Sequence, residues 1–420
     1  MHVPSGKFSM DTSPKRSLTD KLRSLGVVKP ARDLPPPEVK QGNEIEMVLP
    51  GSFVPTPLGE VFVVEQSFQS DYLHGSAPIL SSLPLSLISQ WANDPRIAEL
   101  PLSAFAFLDT ETSGLSGGTG TYAFLVGVGR FIEGQFVLKQ FFMRDPAEEP
   151  ALLEGLANFL APAEALVTFN GKAFDAPLLT TRYTMHRIPV PYKDYAHLDL
   201  LPLARRLWRD RLESRALKYL EEHVLGMTRA IAEVEGYEIP WLYMDYLRDG
   251  DAHHVEGVFY HNAMDIVAMS ALLTHMNEVI TNPYEGSVEH GIDFIALGKL
   301  FEDLGLWGEA ARLFEYGLKI GLTESDFGWA VKRLSILQKR RGDFEEAIRL
   351  WEKAAAEGHI YAHIEMAKYY EHKRRDVKSA LRWTRSALDH VKQGNLPAYE
   401  RKYWMEEITH RLARLERKDI

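Results

Sequence analysis

The 420-residue sequence predicts an α/β domain built on a mixed sheet, followed by an all-α domain of helical repeats. Two observations support this. From residue 101, three β-rich runs come in succession, and further strand patterns then alternate with helical ones. Beyond residue 290, three segments align without internal gaps at offsets of 37 and 33 residues, a spacing typical of stacked helix pairs.

The first hundred residues are expected to contain little regular structure. Residues 1–50 hold "SGKFSMDTSPKR" and "RDLPPPEVK", which are rich in proline, serine and charge, so this segment is expected to be mostly disordered. Residues 51–100 are expected to form an irregular extension packed on the next domain, with a hairpin near "GEVFVVEQ". His74 lies in this extension. It is expected to be a packing or surface residue, with a place at the rim of a site as the alternative.

Residues 101–282 are expected to form the α/β domain. "AFAFLDT", "TYAFLVGVGRF" and "GQFVLKQFFMR" predict an antiparallel meander with its first three strands antiparallel. Helical "EEPALLEGLANFL", the strand "EALVTFNG" and helical "KAFDAPLLTTRYTMHR" follow, and "DAHHVEGVFYHNAMDIVAMSALLTHM" predicts a long final helix. Three antiparallel strands followed by strands alternating with helices form the order of a ribonuclease H-like fold.

Residues 290–420 are expected to form tetratricopeptide-like repeats. The aligned segments begin at residues 304, 341 and 374 and place small residues at equivalent positions, where helices meet. The equivalent positions are Trp307, Phe344 and Val377, and Ala310, Ala347 and Ala380.

The composition excludes several classes of protein. The absence of cysteine excludes a disulfide framework and a thiol nucleophile, and it makes a structural zinc site very unfavourable. We find no signal-peptide pattern and no apolar run long enough to cross a bilayer, so a cytoplasmic protein without membrane contact is expected. The net charge of −10 does not exclude nucleic acid, because local basic clusters or metal ions can mediate contact with a polyanion.

Asp109 and Glu111 stand at the end of the first apolar strand of this domain, just before a glycine-rich turn. Residues i and i+2 of a strand project from the same face, so the two carboxylates repel each other unless a cation lies between them. Mg²⁺ or Mn²⁺ meets this requirement, because hard cations prefer oxygen ligands. The alternative for an isolated pair is a solvated strand end.

Two further acids favour the metal interpretation. Asp175 follows an apolar strand and an Asn-Gly turn at the start of a helix, where the helix dipole alone would also explain it. Asp265 lies on an otherwise apolar helical face, where an acid is costly unless it is paired or metal-bound.

In this pattern the chain resembles the DEDD, or DnaQ-like, 3′–5′ exonucleases of the ribonuclease H-like fold. Asp109-Thr-Glu111 matches their first motif. Asn170-Gly-Lys-Ala-Phe-Asp175 matches their second motif, with one extra residue of spacing. The stretch "YHNAMD", which ends at Asp265, matches their third. "FLDTETSGLSGGTGTYAFLVGVGRF", "VTFNGKAFDAPLL", "HLDLLPLARRLWR" and "HNAMD" more closely resemble the YprB-type proteins, which join such a domain to tetratricopeptide repeats.

The resemblance implies a site with two ions, Mg²⁺ or Mn²⁺: Asp109, Glu111 and Asp265 would hold one, and Asp109 with Asp175 the other. It also implies a general base, either histidine five residues before the last aspartate or tyrosine four before it. Here the order is crossed, with Tyr260 five residues before and His261 four before. On a continuous helix, four residues turn a net angle of about 40° and five about 140°. His261 therefore shares a face with Asp265 and is favoured as the base, and Tyr260 remains the alternative.

Three groups of residues are candidates for contact with nucleic acid. The glycine-rich turn lacks a P-loop ending, and its glycines would let a substrate backbone pass close to the metals. A plain hairpin is the alternative. The basic helix around Trp208 would grip phosphates and stack a base, or would be a solvated face with a buried tryptophan. The candidates are Thr112, Gly114 and Leu115 of the turn, Asn170, Lys172 and Phe174 of the second motif, and Arg205 and Arg209 of the basic helix.

The sequence thus predicts a metal-dependent nuclease. The main interpretation is a 3′–5′ exonuclease that acts on a single-stranded 3′ end of DNA or RNA. The repeats are expected to offer a surface for a protein partner. One alternative is a nucleic-acid-binding scaffold without turnover. Another is a structure-selective endonuclease on the same fold.

Overall fold

The computed structural model describes residues 43–80, 82–114, 120–229 and 234–418. Most of the segment expected to be disordered, and Leu115 of the glycine-rich turn, lie outside these described residues.

A mixed sheet of seven strands forms the centre of the α/β domain, in the order β1-β2-β7-β6-β5-β8-β9. β5, β6 and β7 pair antiparallel, as the sequence predicts, and β8 and β9 continue the sheet parallel to β5. A separate two-stranded sheet consists of β3 and β4. The strands are β1 Gly51–Thr56, β2 Gly59–Gln69, β3 Leu73–His74, β4 Ala77–Pro78, β5 Phe105–Thr112, β6 Ala123–Ile132, β7 Gln135–Phe142, β8 Ala165–Thr168 and β9 Ala196–Asp199.

The segment 51–100 is more regular than expected. The expected hairpin is present as β1 and β2, and β2 then pairs antiparallel with β7, so both strands extend the main sheet. A run of β-branched and aromatic residues from Val61 to Val64 is buried there, which is the environment that such residues favour in strands.

Helices cover the sheet and form the rest of the chain. They are α1 Ile45–Val48, α2 Ser86–Ala92, α3 Arg96–Glu99, α4 Glu149–Leu160, α5 Asp175–His186, α6 Leu200–Trp208, α7 Leu217–His223, α8 Ile239–Asp249, α9 His253–Thr281, α10 Gly291–Asp303, α11 Trp307–Ile320, α12 Glu324–Arg341, α13 Phe344–Ala356, α14 Ile360–Tyr369, α15 Val377–Gln393 and α16 Ala398–Glu416.

Strand β5 contributes to an apolar core on each face of the sheet. Phe105 and Phe107 belong to one core, and the alternate residues Ala106 and Leu108 belong to the other. This follows from the two-residue period of a strand. The same alternation carries Asp109 and Glu111 onto the face of Phe107, beyond the end of the apolar run.

The first of these cores continues into the helix-rich C-terminal region. It includes Phe107 of the sheet, Ile266 of α9, Phe294 of α10 and Leu337 of α12. The predicted limits of the two domains, residues 282 and 290, lie in the connection between α9 and α10. The two regions are therefore joined by buried apolar contacts as well as by the chain.

The aligned segments of the C-terminal region form equivalent structures. Trp307, Phe344 and Val377 are the first residues of α11, α13 and α15. Ala310, Ala347 and Ala380, three residues later, are each fully buried. The sequence period thus corresponds to a repeated helix start with a small residue packed against its neighbour.

Among the described residues, no helix combines the length and apolarity that crossing a bilayer requires.

Candidate active site

The candidate site lies at the carboxyl ends of the parallel strands β5 and β8, where side chains that follow neighbouring strands come together. Asp109 pairs in register with Gly127 of β6, and Glu111 pairs with Leu125. A register shift after Glu111 ends the regular pairing, so the two acids occupy the last regular positions of the strand.

Helix α9 reaches Asp109 because β6 has a glycine opposite it. A Cβ atom at Gly127 would lie only 2.2 Å from Oδ1 of Asn262, so no other residue fits this contact unchanged. The buried Asn262 donates from Nδ2 to Oδ2 of Asp109 at 2.9 Å. Gln140 of β7 donates to Oδ1 of Asn262 at 3.0 Å. These two amides fix the orientation of Asp109.

Asp175 is the first residue of α5 and is buried. The hydroxyl of Thr110 donates to its Oδ1 at 2.5 Å. Burial raises the pKa of Asp175 to about 6, although the Thr110 bond acts in the opposite direction. Thr110 projects opposite to Asp109 and Glu111, so β5 contacts the second motif through the residue between its two acids.

Burial and mutual repulsion raise the pKa of Asp109 and of Glu111 well above the ordinary carboxyl range. Burial is the larger cause for both. The negative charges of Asp265 and Asp175 act on both, and Asp109 also acts on Glu111. The four predicted acids thus lie within electrostatic range of one another, and a cation among them would relieve the repulsion.

Asp265 has a partner that sequence reasoning missed. The guanidinium of Arg229 donates from Nη2 to its Oδ1, and Arg229 also donates from Nε to Glu221 at 2.5 Å. The other oxygen of Glu221 lies 2.6 Å from Nε2 of His74. His74 is fully buried. It is therefore a packing residue, and it lies neither at the surface nor at the rim of the site. The sequence gives no signal for this series of contacts, because His74 is 147 residues from Glu221 and Arg229 is 36 residues from Asp265.

Asp199 is a second residue that the sequence analysis left without a role. Its carboxylate caps α6 and accepts the backbone N–H groups of Asn170 at 2.8 Å and of Lys172 at 3.2 Å. Asn170 has a left-handed backbone, with φ of 69°. Asp199 therefore holds the turn that carries the second motif. An acid between a strand and an amphipathic helix is a recognisable capping signal.

His261 lies on the same side of α9 as Asp265, with Nε2 3.6 Å from Oδ2. Helix α9 begins at His253, so the condition for the predicted geometry is met. Tyr260 instead lines a separate cavity of about 530 Å³ with Leu242 and His254.

The candidate nucleic-acid contacts divide into a near and a far group. Lys172 and Phe174 are exposed on the turn beside Asp175, and 58% of Phe174 is accessible. Thr112 donates to the carbonyl oxygen of Gly114 at 2.8 Å, next to Glu111.

The far group lies on α6, which runs away from this edge of the sheet. Arg205 and Arg209 are exposed there, and Arg209 stands about 15 Å along the helix axis from Asp199. Trp208 is 2% exposed and packs in the core, so the buried alternative holds for this tryptophan. Arg206 pairs with Asp303 of α10.

The chemistry of the acids fits a hard divalent ion, because repelling carboxylates with raised pKa values are suitable oxygen ligands. The arrangement of the four acids in this structure fits such an ion less completely. Among the described residues, no three acids or histidines come together closely enough to form a ready metal centre. One oxygen each of Asp109, Asp175 and Asp265 is bonded by Asn262, Thr110 and Arg229.

The first two of three comparisons with known proteins agree with this fold. A family model of the RNase H superfamily matches residues 106–277. The chain is 34% identical over 319 residues to the uncharacterized protein YprB of Bacillus subtilis (strain 168), which covers 74% of this chain and 74% of YprB. A family B DNA polymerase from the archaeon Pyrobaculum calidifontis matches with 13% identity and a TM-score of 0.33, over 58% of this chain and 34% of the polymerase. The chain therefore belongs to the family of YprB, and its α/β domain belongs to the RNase H superfamily.

Proposed function

We propose that this protein is a metal-dependent 3′–5′ exonuclease that removes nucleotides from a single-stranded end of DNA or RNA. The superfamily supports a nuclease of some kind. The observation that carries the proposal is the convergence of Asp109, Glu111, Asp175 and Asp265, which come from three elements yet raise one another's electrostatic energy.

The acids are the proposed ligands of Mg²⁺ or Mn²⁺. RNase H-like nucleases generally use divalent metals, and a bound ion would polarise the phosphodiester and lower the pKa of a water molecule. Asn262 holds Asp109 in one orientation, and Thr110 does the same for Asp175. The chain's own contribution is thus a fixed set of oxygen atoms at the edge of the sheet.

His261 is the proposed general base, and its Nε2 would take the proton of the attacking water. This nitrogen lies 3.6 Å from Oδ2 of Asp265. Tyr260 lines another cavity. We propose that it positions or stacks on a nucleobase of the substrate.

The substrate strand is proposed to cross the turn beside Asp175. Phe174 offers an exposed ring for stacking, and Lys172 offers a positive charge. Thr112, Gly114 and Asn170 would line the same end of the strand.

Farther along, Arg205 and Arg209 line a groove of about 640 Å³ between α6 and α10. Trp91, Arg215 and Lys299 line it as well. The excess of positive charge in this groove suits the phosphates of a longer strand. The helix-rich region is the proposed surface for a protein partner.

The test uses single-stranded oligonucleotides labelled at the 5′ or 3′ end, together with a circular strand, in Mg²⁺ or Mn²⁺. A 3′–5′ exonuclease releases the 3′ label at once as a mononucleotide, shortens the 5′-labelled strand stepwise and leaves the circle intact. Cutting of the circle would identify an endonuclease instead. Binding without turnover, by wild type and Asp109→Asn alike, would identify a scaffold.

A further inference from the structure

A second basic groove lies among the C-terminal helices, and we call it the repeat groove. It has a volume of about 650 Å³ and is lined mainly by residues of α12, α14 and α16. Five of its lining residues are cations and two are acids. The cations are Lys332, Lys339, Arg340, Lys368 and Lys373. The excess of positive charge suits an anionic ligand.

Ion pairs within and beside the repeat groove leave this excess in place. Glu365 is shared by Lys339 at 2.6 Å and by Lys368 at 2.9 Å. The buried Glu302 of α10 is likewise shared by two arginines of α12, one of which is Arg340 at 3.3 Å. Each of these two carboxylates therefore balances only one of its two cationic partners.

The other two cations of the groove lie over aromatic rings. Nζ of Lys332 is 5.2 Å from the ring centre of Tyr361, and Nζ of Lys373 is 4.9 Å from the ring centre of Phe344. Both lysines are exposed. Tyr403 of α16 also lines the groove, and 61% of it is accessible. Cations interleaved with rings suit single-stranded nucleic acid, because phosphates pair with the cations and bases stack on the rings.

Trp329 lies between the repeat groove and the groove between α6 and α10, which we call the α6 groove. Lys299 lines the α6 groove, and its Nζ is 4.1 Å from the ring centre of Trp329. Trp329 is 42% exposed. Lys332, three residues farther along α12, already lines the repeat groove. The two basic grooves are therefore joined by a tryptophan with an accessible ring.

Helix α12 carries this path into the repeats. Trp329, Lys332, Ile336 and Arg340 follow one another at steps of three or four residues, so they share one face of the helix. The row spans about 16 Å at the rise of an α-helix. All of its members after Trp329 line the repeat groove.

We propose that the repeat groove binds single-stranded nucleic acid, as the continuation of the path that crosses the α6 groove. This inference rests on the proposed function. The 3′ end of the strand lies at the acids, and its 5′ portion lies in the repeat groove. There the phosphates contact Lys332 and Lys373, and bases stack on Trp329 and Tyr403. Other faces of the helix-rich region stay open to a protein partner.

Continuity with the α6 groove favours nucleic acid over an acidic peptide as the occupant. A peptide rich in carboxylates would use the cations of the repeat groove, but it would have no use for the accessible ring of Trp329 or for the cations of the α6 groove beyond it. A polynucleotide uses both grooves and the ring between them with one repeating chemistry.

The test measures binding of fluorescein-labelled oligodeoxythymidylates to the full chain in a chelator, where no metal-dependent cleavage occurs. Replacing Lys332 and Lys373 together by alanine is expected to weaken binding of a strand of ~40 nucleotides by about 10-fold to 30-fold. The slope of log affinity against log salt should fall by about 0.7 for each lost contact. The loss should be absent for strands of ~6 nucleotides, which are too short to reach the repeats from the acids.

The matched control replaces Lys378 and Lys392 together by alanine. Both are exposed on α15 and lie outside the two grooves. This variant loses the same charge from the helix-rich region, so it separates a local contact from a general change of charge. Its affinity for the long strand should stay within about 2-fold of the wild-type value, since screened charges away from the path contribute little.

Trp329→Ala tests the stacking. It is expected to weaken binding of the long strand by about 5-fold or more, the usual effect of removing one stacked ring. An abasic strand of the same length, which has the phosphates and no bases, should bind equally well to Trp329→Ala and to wild type. An equal loss for both strands would remove Trp329 from the contacts with bases.

Unchanged affinity and salt slope in the Lys332 and Lys373 double variant would overturn the inference and would leave the repeat groove to an acidic protein partner. This result differs from a failure of the proposed function. That failure is seen when the wild-type protein releases no nucleotides in Mg²⁺ or Mn²⁺, whereas the strand-binding test is made without either ion.

Discussion

Asn262 of α9 donates a hydrogen bond of 2.9 Å from Nδ2 to Oδ2 of Asp109 on β5. This bond survives replacement of Asp109 by asparagine, because the carbonyl oxygen of the new amide is an equivalent acceptor. Asp109→Asn is therefore expected to keep the fold while removing one carboxylate from the repelling group. Without metal its melting temperature should rise, since the charges of Asp265 and Asp175 no longer act on residue 109.

The same variant should lose turnover by about 100-fold or more, beyond the loss typical of a residue that only supports a metal ligand. Single-turnover assays in Mn²⁺ and thermal unfolding in a chelator measure the two effects. Asp389→Asn, at an exposed position of α15, is the control and should retain turnover. Normal turnover in Asp109→Asn would remove this residue from the metal ligands.

His261→Ala is expected to lower kcat by roughly 10²-fold to 10⁴-fold, the usual contribution of a general base. The pH–rate profile should also lose its acidic limb, because the group that must be deprotonated is gone. Tyr260→Phe is the matched comparison on the neighbouring position and should have a small effect. The reverse pattern, a damaging Tyr260→Phe with a nearly silent His261→Ala, would assign the base to Tyr260.

Replacing Arg205 and Arg209 together by alanine is expected to weaken binding of long single strands, at a cost of about 1 kcal/mol for each lost phosphate contact. The slope of log affinity against log salt should fall by about 0.7 for each contact. Short oligonucleotides, which cannot reach from the acids to α6, should bind equally well to the variant and to wild type. Lys402→Ala on α16 controls for loss of surface charge. An unchanged salt slope would exclude the α6 groove from the strand's path.

A chain ending at residue 285 is expected to aggregate or to unfold at a much lower temperature than the full protein. The truncation removes Phe294 and Leu337 from the core that they share with Phe107 and Ile266, and it exposes the apolar surface left behind. A chain ending at residue 395 is the control, because α16 packs mainly in separate small clusters. Dye binding and circular dichroism compare the two. A soluble, cooperatively folding 285-residue product would show that the shared core is dispensable.

Stability is expected to decrease as the pH falls from about 6.5 toward 4, partly through His363 of α14. Burial, with a smaller effect of His390, lowers the pKa of this histidine to about 4. The unfolded chain therefore binds a proton that the folded protein excludes in this range, and the contribution at pH 5 is about 2 kcal/mol. Urea unfolding at pH 7.5 and 5.0 should show a smaller difference for His363→Gln than for wild type. His410→Gln, at an exposed position, should leave the difference unchanged.

The sequence was sufficient where the signal is local. The alternation of β5 and the start of a helix in each aligned C-terminal segment each depend on residues within a few positions of one another. The same holds for His261, because four residues along a continuous helix determine that it faces Asp265. Predictions of this kind need no knowledge of what packs against the element.

Only the tertiary structure decided the features that join distant segments. The strands β1 and β2 become part of the main sheet because β7 offers a free edge, which composition alone does not reveal. The α/β domain and the C-terminal helices share one core because α6 packs against α10. Most clearly, Arg229 contacts both Asp265 and Glu221, and Glu221 contacts His74 across 147 residues of sequence. The sequence by itself determined which acids the protein has and on which elements they stand, and the packing of those elements decided which cation meets them.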